Sequence, residues 1–134
     1  MSNIKVSKIT FNKTRVVCIV ECGGNTDKEL AARVLEKLPN LKLHPCKNNR
    51  GPKFIDVIES TSIAHLFEHI VIDLESRSSN NITFGTTTRL SDNKYKVELS
   101  YTDDIAMLKS INEATKLINF LIEEIQDSSS FLQQ

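Results

Sequence analysis

The chain has 134 residues, a length that suits one domain able to bury a core without disulfides or a structural metal. Its 17 basic and 17 acidic residues cancel, so there is no global positive field of the kind a nucleic-acid binder uses. Cys18, Cys22 and Cys46 make no disulfide framework, Met1 to Lys8 is polar and mixed, and no apolar run approaches a membrane span. These features predict a cytoplasmic protein with reduced thiols, no nucleic-acid partner and no membrane partner. The segment Lys47-Asn48-Asn49-Arg50-Gly51-Pro52-Lys53 is the nearest thing to a basic cluster. It reads as a solvated loop that could attract an acidic substrate.

In chain order, Ile4 to Phe11 alternates apolar and polar residues, but Ile4 and Val6 fall out of phase with Ile9 and Phe11. It reads as a strand with a bulge at Ser7-Lys8. Asn12-Lys13-Thr14 is a turn. Arg15 to Glu21 is a more continuously apolar strand and is expected to be central, with Cys18 a buried thiol. After the break at Cys22-Gly23-Gly24-Asn25, Thr26 and Glu29 are spaced as a capping box for a helix that Pro39 ends. Asn40 to Glu59 is irregular, with a short apolar piece from Phe54 to Ile58. A helix from Thr61 to about Ser76 follows. Two strands, Asn81 to Leu90 and Lys94 to Tyr101, are then joined by a turn at Ser91-Asp92-Asn93. Asp103 or Asp104 caps a last helix to about Gln126, leaving 128–134 as a flexible tail behind a single domain over 1–127. The order predicts an α+β fold, with about four mainly antiparallel strands and helices on one face. Val16, Ile19, Phe67, Ile70, Leu74, Leu117 and Leu121 are the expected core.

The chemistry concentrates in His65-Leu66-Phe67-Glu68-His69, an H-x-x-E-H pattern inside the second helix. Two imidazoles four residues apart stand one above the other and can share a zinc ion. The carboxylate before the second can take a proton from water that the metal polarises. With steps of about 100° per residue, His69 lies about 40° and Glu68 about 300° from His65. The apolar set Ile63, Leu66, Phe67, Ile70, Val71 and Leu74 centres near roughly 170°. The trio is thus expected on the polar side, opposite the core, where the bland alternative is a solvated face without function. Asp73, one turn beyond His69, is placed to support a ligand or to act as one.

From Leu38 onward the chain resembles the N-terminal domain of cyanophycin synthetases. The matching pieces are Leu38-Pro39-Asn40-Leu41, His44-Pro45-Cys46, Gly51, Phe54, Glu59-Ser60-Thr61 and His65 to Leu74. Phe84-Gly85-Thr86 and Tyr95 to Tyr101 then continue the series in order. Where the family pattern has a Glu-Tyr pair, this chain has Ser100-Tyr101. It carries Asp73 in place of an acidic Glu after the motif, and its loop after His44-x-Cys46 is shortened to Asn48-Asn49-Arg50-Gly51. Whole synthetases polymerise aspartate and arginine with ATP-grasp and Mur-ligase-like modules. This sequence shows no Gly-rich phosphate loop, so no ATP-dependent ligase activity is expected. The resemblance implies either polymer binding or the zinc-dependent trimming of polymer into primers by a pitrilysin-like (inverzincin) site.

A catalytic zinc takes three protein ligands and keeps one open position. By the pitrilysin-like resemblance, His65 and His69 would be joined by a Glu on a later helix. Glu113, at the border of the apolar arc of the last helix, is the expected third ligand. Cys46, Glu98 and Asp73 are the rivals. His44 and Cys46 also have a plain reading as loop residues packed beside the motif helix. The sequence therefore predicts a zinc-dependent peptidase or amidase with Glu68 as catalytic base, acting on a peptide-like or Asp/Arg polymer substrate. A non-catalytic polymer- or partner-binding module with the same fold is the alternative.

Overall fold

The structure is a computed structural model that describes residues 3–78 and 80–133. Four strands form one antiparallel sheet: β1 (Lys5–Phe11), β2 (Arg15–Glu21), β3 (Gly85–Ser91) and β4 (Lys94–Ser100), in the order β1-β2-β4-β3. Helices α1 (Lys28–Lys37), α2 (Ile63–Arg77) and α3 (Asp104–Gln133) complete the α+β fold. The pairing of β1 with β2 slips between Val6 and Lys8, where the phase change in the sequence predicts a bulge. The Ser91-Asp92-Asn93 turn joins β3 to β4.

One face of the sheet carries the core. On β2, Val16, Cys18 and Val20 are fully buried, while Val17 and Ile19 alternate to the other face and are half-covered. Ile19 therefore leaves the expected core, because the side-chain period of two assigns it the opposite face from Val16. Tyr95, Val97 and Leu99 supply the inner face of β4. Helix α2 packs over β3 and β4, and α3 contacts both α2 and β1. Phe67, Ile70 and Leu121 are buried as expected, and Leu74 and Leu117 pack against the core from its margin.

Helix starts show which polar side chains are free to cap. Asp27, not Thr26, caps α1: its Oδ1 accepts from the Leu30 N–H at 2.8 Å. Thr26 is buried and its hydroxyl is spent elsewhere, donating to the Ile58 carbonyl at 2.5 Å with the Thr61 carbonyl at 3.1 Å. The Thr26 backbone N–H also donates to Thr61 at 2.8 Å. This clasp ties the end of β2 to the start of α2, which Ser62 caps by accepting from the His65 N–H at 3.1 Å. Asp103 caps α3, accepting from Ile105 and Ala106. The helical backbone of α3 runs to Gln133, beyond the expected end near Gln126 and through most of the 128–134 tail; Gln134 lies outside the described residues.

Residues 39–59 are irregular, as expected, but they are not a free loop. Two short 3₁₀ turns, Pro39–Leu43 and Phe54–Asp56, bury Leu41 and Phe54 completely. Between them a narrow loop is closed by backbone bonds from Cys46 to Pro52 and from Phe54 to His44, each 3.0 Å. Asn48 Oδ1 accepts the N–H groups of Arg50 and Gly51 inside it. This compact segment lies on the polar side of α2. Among the described residues no helix is long and apolar enough to cross a membrane.

The Thr26 clasp gives a stability test. Thr26→Val keeps the volume but leaves the Ile58 carbonyl without its buried donor. The expected loss is about 1–3 kcal/mol, read as a lower urea midpoint with an unchanged m-value.

Candidate metal and catalytic site

Helix α2 is buried on both sides. Its apolar stripe faces the sheet and α3, while Glu68 and His69 are each only 4% exposed and Asp73 is 0% exposed. The helical wheel assigns these residues the side away from the core, and on an isolated helix that side would be wet. Here the 39–59 segment and the start of β3 cover it. Neither the solvated-face alternative nor the expectation that the trio lies outside the folded interior holds.

Phe54 is the centre of the cover. Its ring lies flat on His69, with centroids 3.9 Å apart and planes 13° from parallel, and it meets His65 edge-on at 5.1 Å. Cys46 reaches in from the loop, with Sγ 3.6 Å from His65 Nε2. The thiol of Cys46 and one ring nitrogen from each of His65 and His69 all lie within 4.8 Å of one another, an arrangement that could hold a metal ion. Glu113, the third ligand expected from the resemblance, is exposed on α3 and is not part of this group. The border of an apolar arc has two sides, and Glu113 falls on the solvent side. Glu98 lies on the outer face of β4, 4.0 Å from the Arg15 guanidinium.

The other ring nitrogens are also occupied. His65 Nδ1 is 2.8 Å from Thr61 Oγ1. His69 Nδ1 is 3.1 Å from His44 Nδ1, and His44 Nε2 is 3.4 Å from Asp73 Oδ1. The second Asp73 oxygen lies 3.2 Å from Arg77 Nε. Neither Asp73 oxygen makes a well-aligned hydrogen bond at these distances, so ion pairing is what compensates this buried carboxylate.

Glu68 leans toward the sheet. Thr87 Oγ1 donates to Glu68 Oε1 at 2.7 Å, and Oε2 stands 3.7 Å from His69 Nε2. Gly85 makes this approach possible. A Cβ there would lie 2.9 Å from Glu68 Oε2 and 3.1 Å from the Leu99 side chain, so any larger residue would press on the carboxylate. A cleft of about 700 Å³ opens over these groups, between the His44–Lys47 stretch and Pro52 on one side and the Ile82–Thr87 stretch on the other.

Burial governs the protonation states. It pulls the His69 imidazole down to about 2, helped by the neighbouring His65 and His44. Burial also lowers His65. It lowers His44 against the pull of Asp73 in the other direction. All three rings are therefore neutral near pH 7 and carry a lone pair each. Desolvation pushes the Glu68 carboxyl up to about 7, with the Thr87 hydrogen bond acting against it. Desolvation likewise raises the Cys46 thiol, with Asn48 acting against it and Glu68 adding to it. A cation between these groups would reverse the balance for the carboxyl and the thiol, favouring their anions.

The sequence singles out His65, Glu68, His69, His44, Cys46 and Asp73, and all six meet here. Thr61, Thr87 and Gly85 were missed as working parts. A glycine opening a strand is a signal of close backbone approach, and Phe84-Gly85-Thr86 is already part of the resemblance. Nothing local marks Thr87, which gains its role only by strand register.

A search of curated proteins gave no match. A family model for the cyanophycin synthase-like N-terminal domain matches residues 12–123, which span β2 to most of α3 and enclose every residue of the site. The chain belongs to the family of cyanophycin synthase-like N-terminal domains.

Proposed function

We propose that this domain is a zinc-dependent hydrolase of peptide or isopeptide bonds, with Cys46, His65 and His69 holding the metal and Glu68 serving as the base. The observation that carries the reading is the convergence of one thiol and two imidazoles within 4.8 Å, beside a buried carboxylate, at the floor of an open cleft. The donor set fits zinc. With bonds of about 2.0–2.3 Å in a tetrahedral site, ligand nitrogen and sulfur stand about 3.5 Å apart. Cys46 Sγ and His65 Nε2 are 3.6 Å apart. Three protein ligands leave one position for water or substrate, which is the pattern of catalytic rather than structural sites.

Zinc in this position would supply a Lewis acid to a carbonyl oxygen and would acidify water. The chain's own residues supply the proton transfers. Thr87 occupies Glu68 Oε1, so Oε2 is the basic oxygen, and it faces the same space as His69 Nε2. Glu68 Oε2 takes the proton of the water that attacks the carbonyl carbon. It then returns that proton to the amide nitrogen as the carbon–nitrogen bond breaks. Burial raises the Glu68 carboxyl in the metal-free site, and a bound cation would favour the carboxylate that a base must be. Family membership points to a polymer of aspartate and arginine or a related isopeptide as the substrate class.

Ligand identity is tested by zinc titration against a competing chelator. Cys46→Ser is expected to lower affinity by more than about 100-fold, the upper end of what residues behind the ligands cost. Glu113→Gln is expected to leave it unchanged. The reverse pattern would return Glu113 to the ligand set.

Chemistry is tested on the carboxylate. Glu68→Gln should keep its zinc and lose about 10²- to 10⁴-fold in turnover of a peptide or Asp-Arg polymer. Wild-type protein that carries zinc and cleaves none of these substrates, while retaining polymer on a column, would make it a binding module.

A further inference from the structure

An apolar groove runs between β1 and α3, and two buried thiols lie in or beside β2. Neither shows what it would bind. The loop from Lys47 to Lys53 does, because its charge stands at the rim of the cleft.

Lys47, Arg50 and Lys53 give this loop three cations within seven residues. The next acidic residue along the chain is Asp56, and its Oδ2 already accepts the Lys53 N–H at 2.9 Å. Among the described residues, no acidic side chain lies within 4.0 Å of any of the three cationic groups. Like charges gathered on so short a loop favour an anion supplied from outside.

Of the three, Lys47 is the one that lines the cleft. Its backbone is pinned from both sides. Cys46 donates its N–H to the Pro52 carbonyl at 3.0 Å. Asn48 donates from Nδ2 to the carbonyls of Cys46 and Lys53, both at 3.1 Å. The loop thus holds Lys47 at the rim, while its exposed side chain keeps a flexible four-carbon reach. Across the cleft, Ile82 to Thr87 offer apolar surface and hydroxyls but no acidic group. Among the described residues that line the cleft, Lys47 carries the one ammonium and Glu68 the one carboxyl. A carboxylate that enters finds a partner at the rim. An ammonium finds none except Glu68, which the proposed reaction engages with water.

We propose that Lys47 is a specificity-determining residue: it selects peptide-like chains that carry a free carboxylate beside the bond placed over His65, Glu68 and His69. This inference rests on the hydrolase reading above and narrows its substrate class to anionic segments. An exposed lysine contributes selection more than affinity, since water and salt screen it.

The test uses octapeptides of one alanine-rich sequence that carry an uncharged dye and two Asp, two Asn or two Lys residues. Binding is read by fluorescence anisotropy on the full chain without zinc, so that an ion's own charge does not contribute. Turnover is read with zinc. The Asp peptide is expected to bind about 5- to 10-fold more tightly than the Asn peptide, with a margin that shrinks as salt rises. Lys47→Met should remove the margin, and Lys47→Glu should turn the preference toward the Lys peptide. A merely structural role for Lys47 would not produce that inversion. Lys42→Glu makes the same change of net charge at an exposed residue outside the cleft lining and should leave the margin as it is. In turnover, Lys47→Met should raise KM for the Asp peptide with kcat little changed. Equal binding of the Asp and Asn peptides by the wild type, or binding of neither, would overturn the proposal. So would a margin that survives Lys47→Met or falls equally in Lys42→Glu. An Asp preference that depends on Lys47, in a protein that cleaves none of the peptides with zinc, would uphold the selection and overturn the hydrolase reading instead.

Discussion

A helix with a polar side normally turns that side to water, and α2 does not. Its apolar residues face the sheet and α3, and the opposite side carries Glu68, His69 and Asp73 into a second, smaller interior, with His65 half-buried beside them. Burying such groups is costly unless each finds a partner. That requirement organises the surroundings: Phe54 roofs the imidazoles, Thr61 and His44 take their outer nitrogens, Thr87 takes one oxygen of Glu68, and Arg77 faces Asp73. The 39–59 segment and the start of β3 are where they are because this side of α2 has to be covered.

The polar interior is held unsatisfied at its centre. All three rings are neutral, and the Glu68 and Cys46 groups resist ionisation, because burial disfavours every charged form. Two ring nitrogens and a thiol converge within 4.8 Å of one another, an arrangement that could hold a cation in shared coordination. The same burial pushes the Glu68 carboxyl up to about 7.

Much of this was legible in the sequence, and the limits follow a physical line. Strands, turns and helices depend on periods of two and 3.6 and on short-range capping, so β2, the Ser7 bulge, the Ser91–Asn93 turn and α2 were all readable. Thr26 and Asp27 were confused because both can cap, and what decides between them is a carbonyl at Ile58, far along the chain. Ile19 was assigned to the core from apolarity alone, although strand alternation assigns it the other face. The His65, Glu68 and His69 set is legible because it lies within five residues. Its burial is not, since the cover comes from segments before and after the helix. Glu113 is expected from the resemblance, which asks for a Glu on a later helix, but a helical wheel fixes angles within α3 and not its rotation relative to α2, and the structure brings Cys46 rather than Glu113 beside the two imidazoles. The two His44 contacts depend on a loop conformation that no local pattern encodes.

The converging side chains sit on parts of the molecule that differ in firmness. His65 and His69 belong to a helix sealed on both sides, whereas Cys46 rides on a loop closed by a few backbone bonds and one asparagine. An ion gripped by all three would fasten the loop to the helix, adding its binding free energy to the cost of peeling the loop away. Slow hydrogen exchange and protease resistance of residues 44–53 would then report occupancy more directly than any property of α2, which is already rigid.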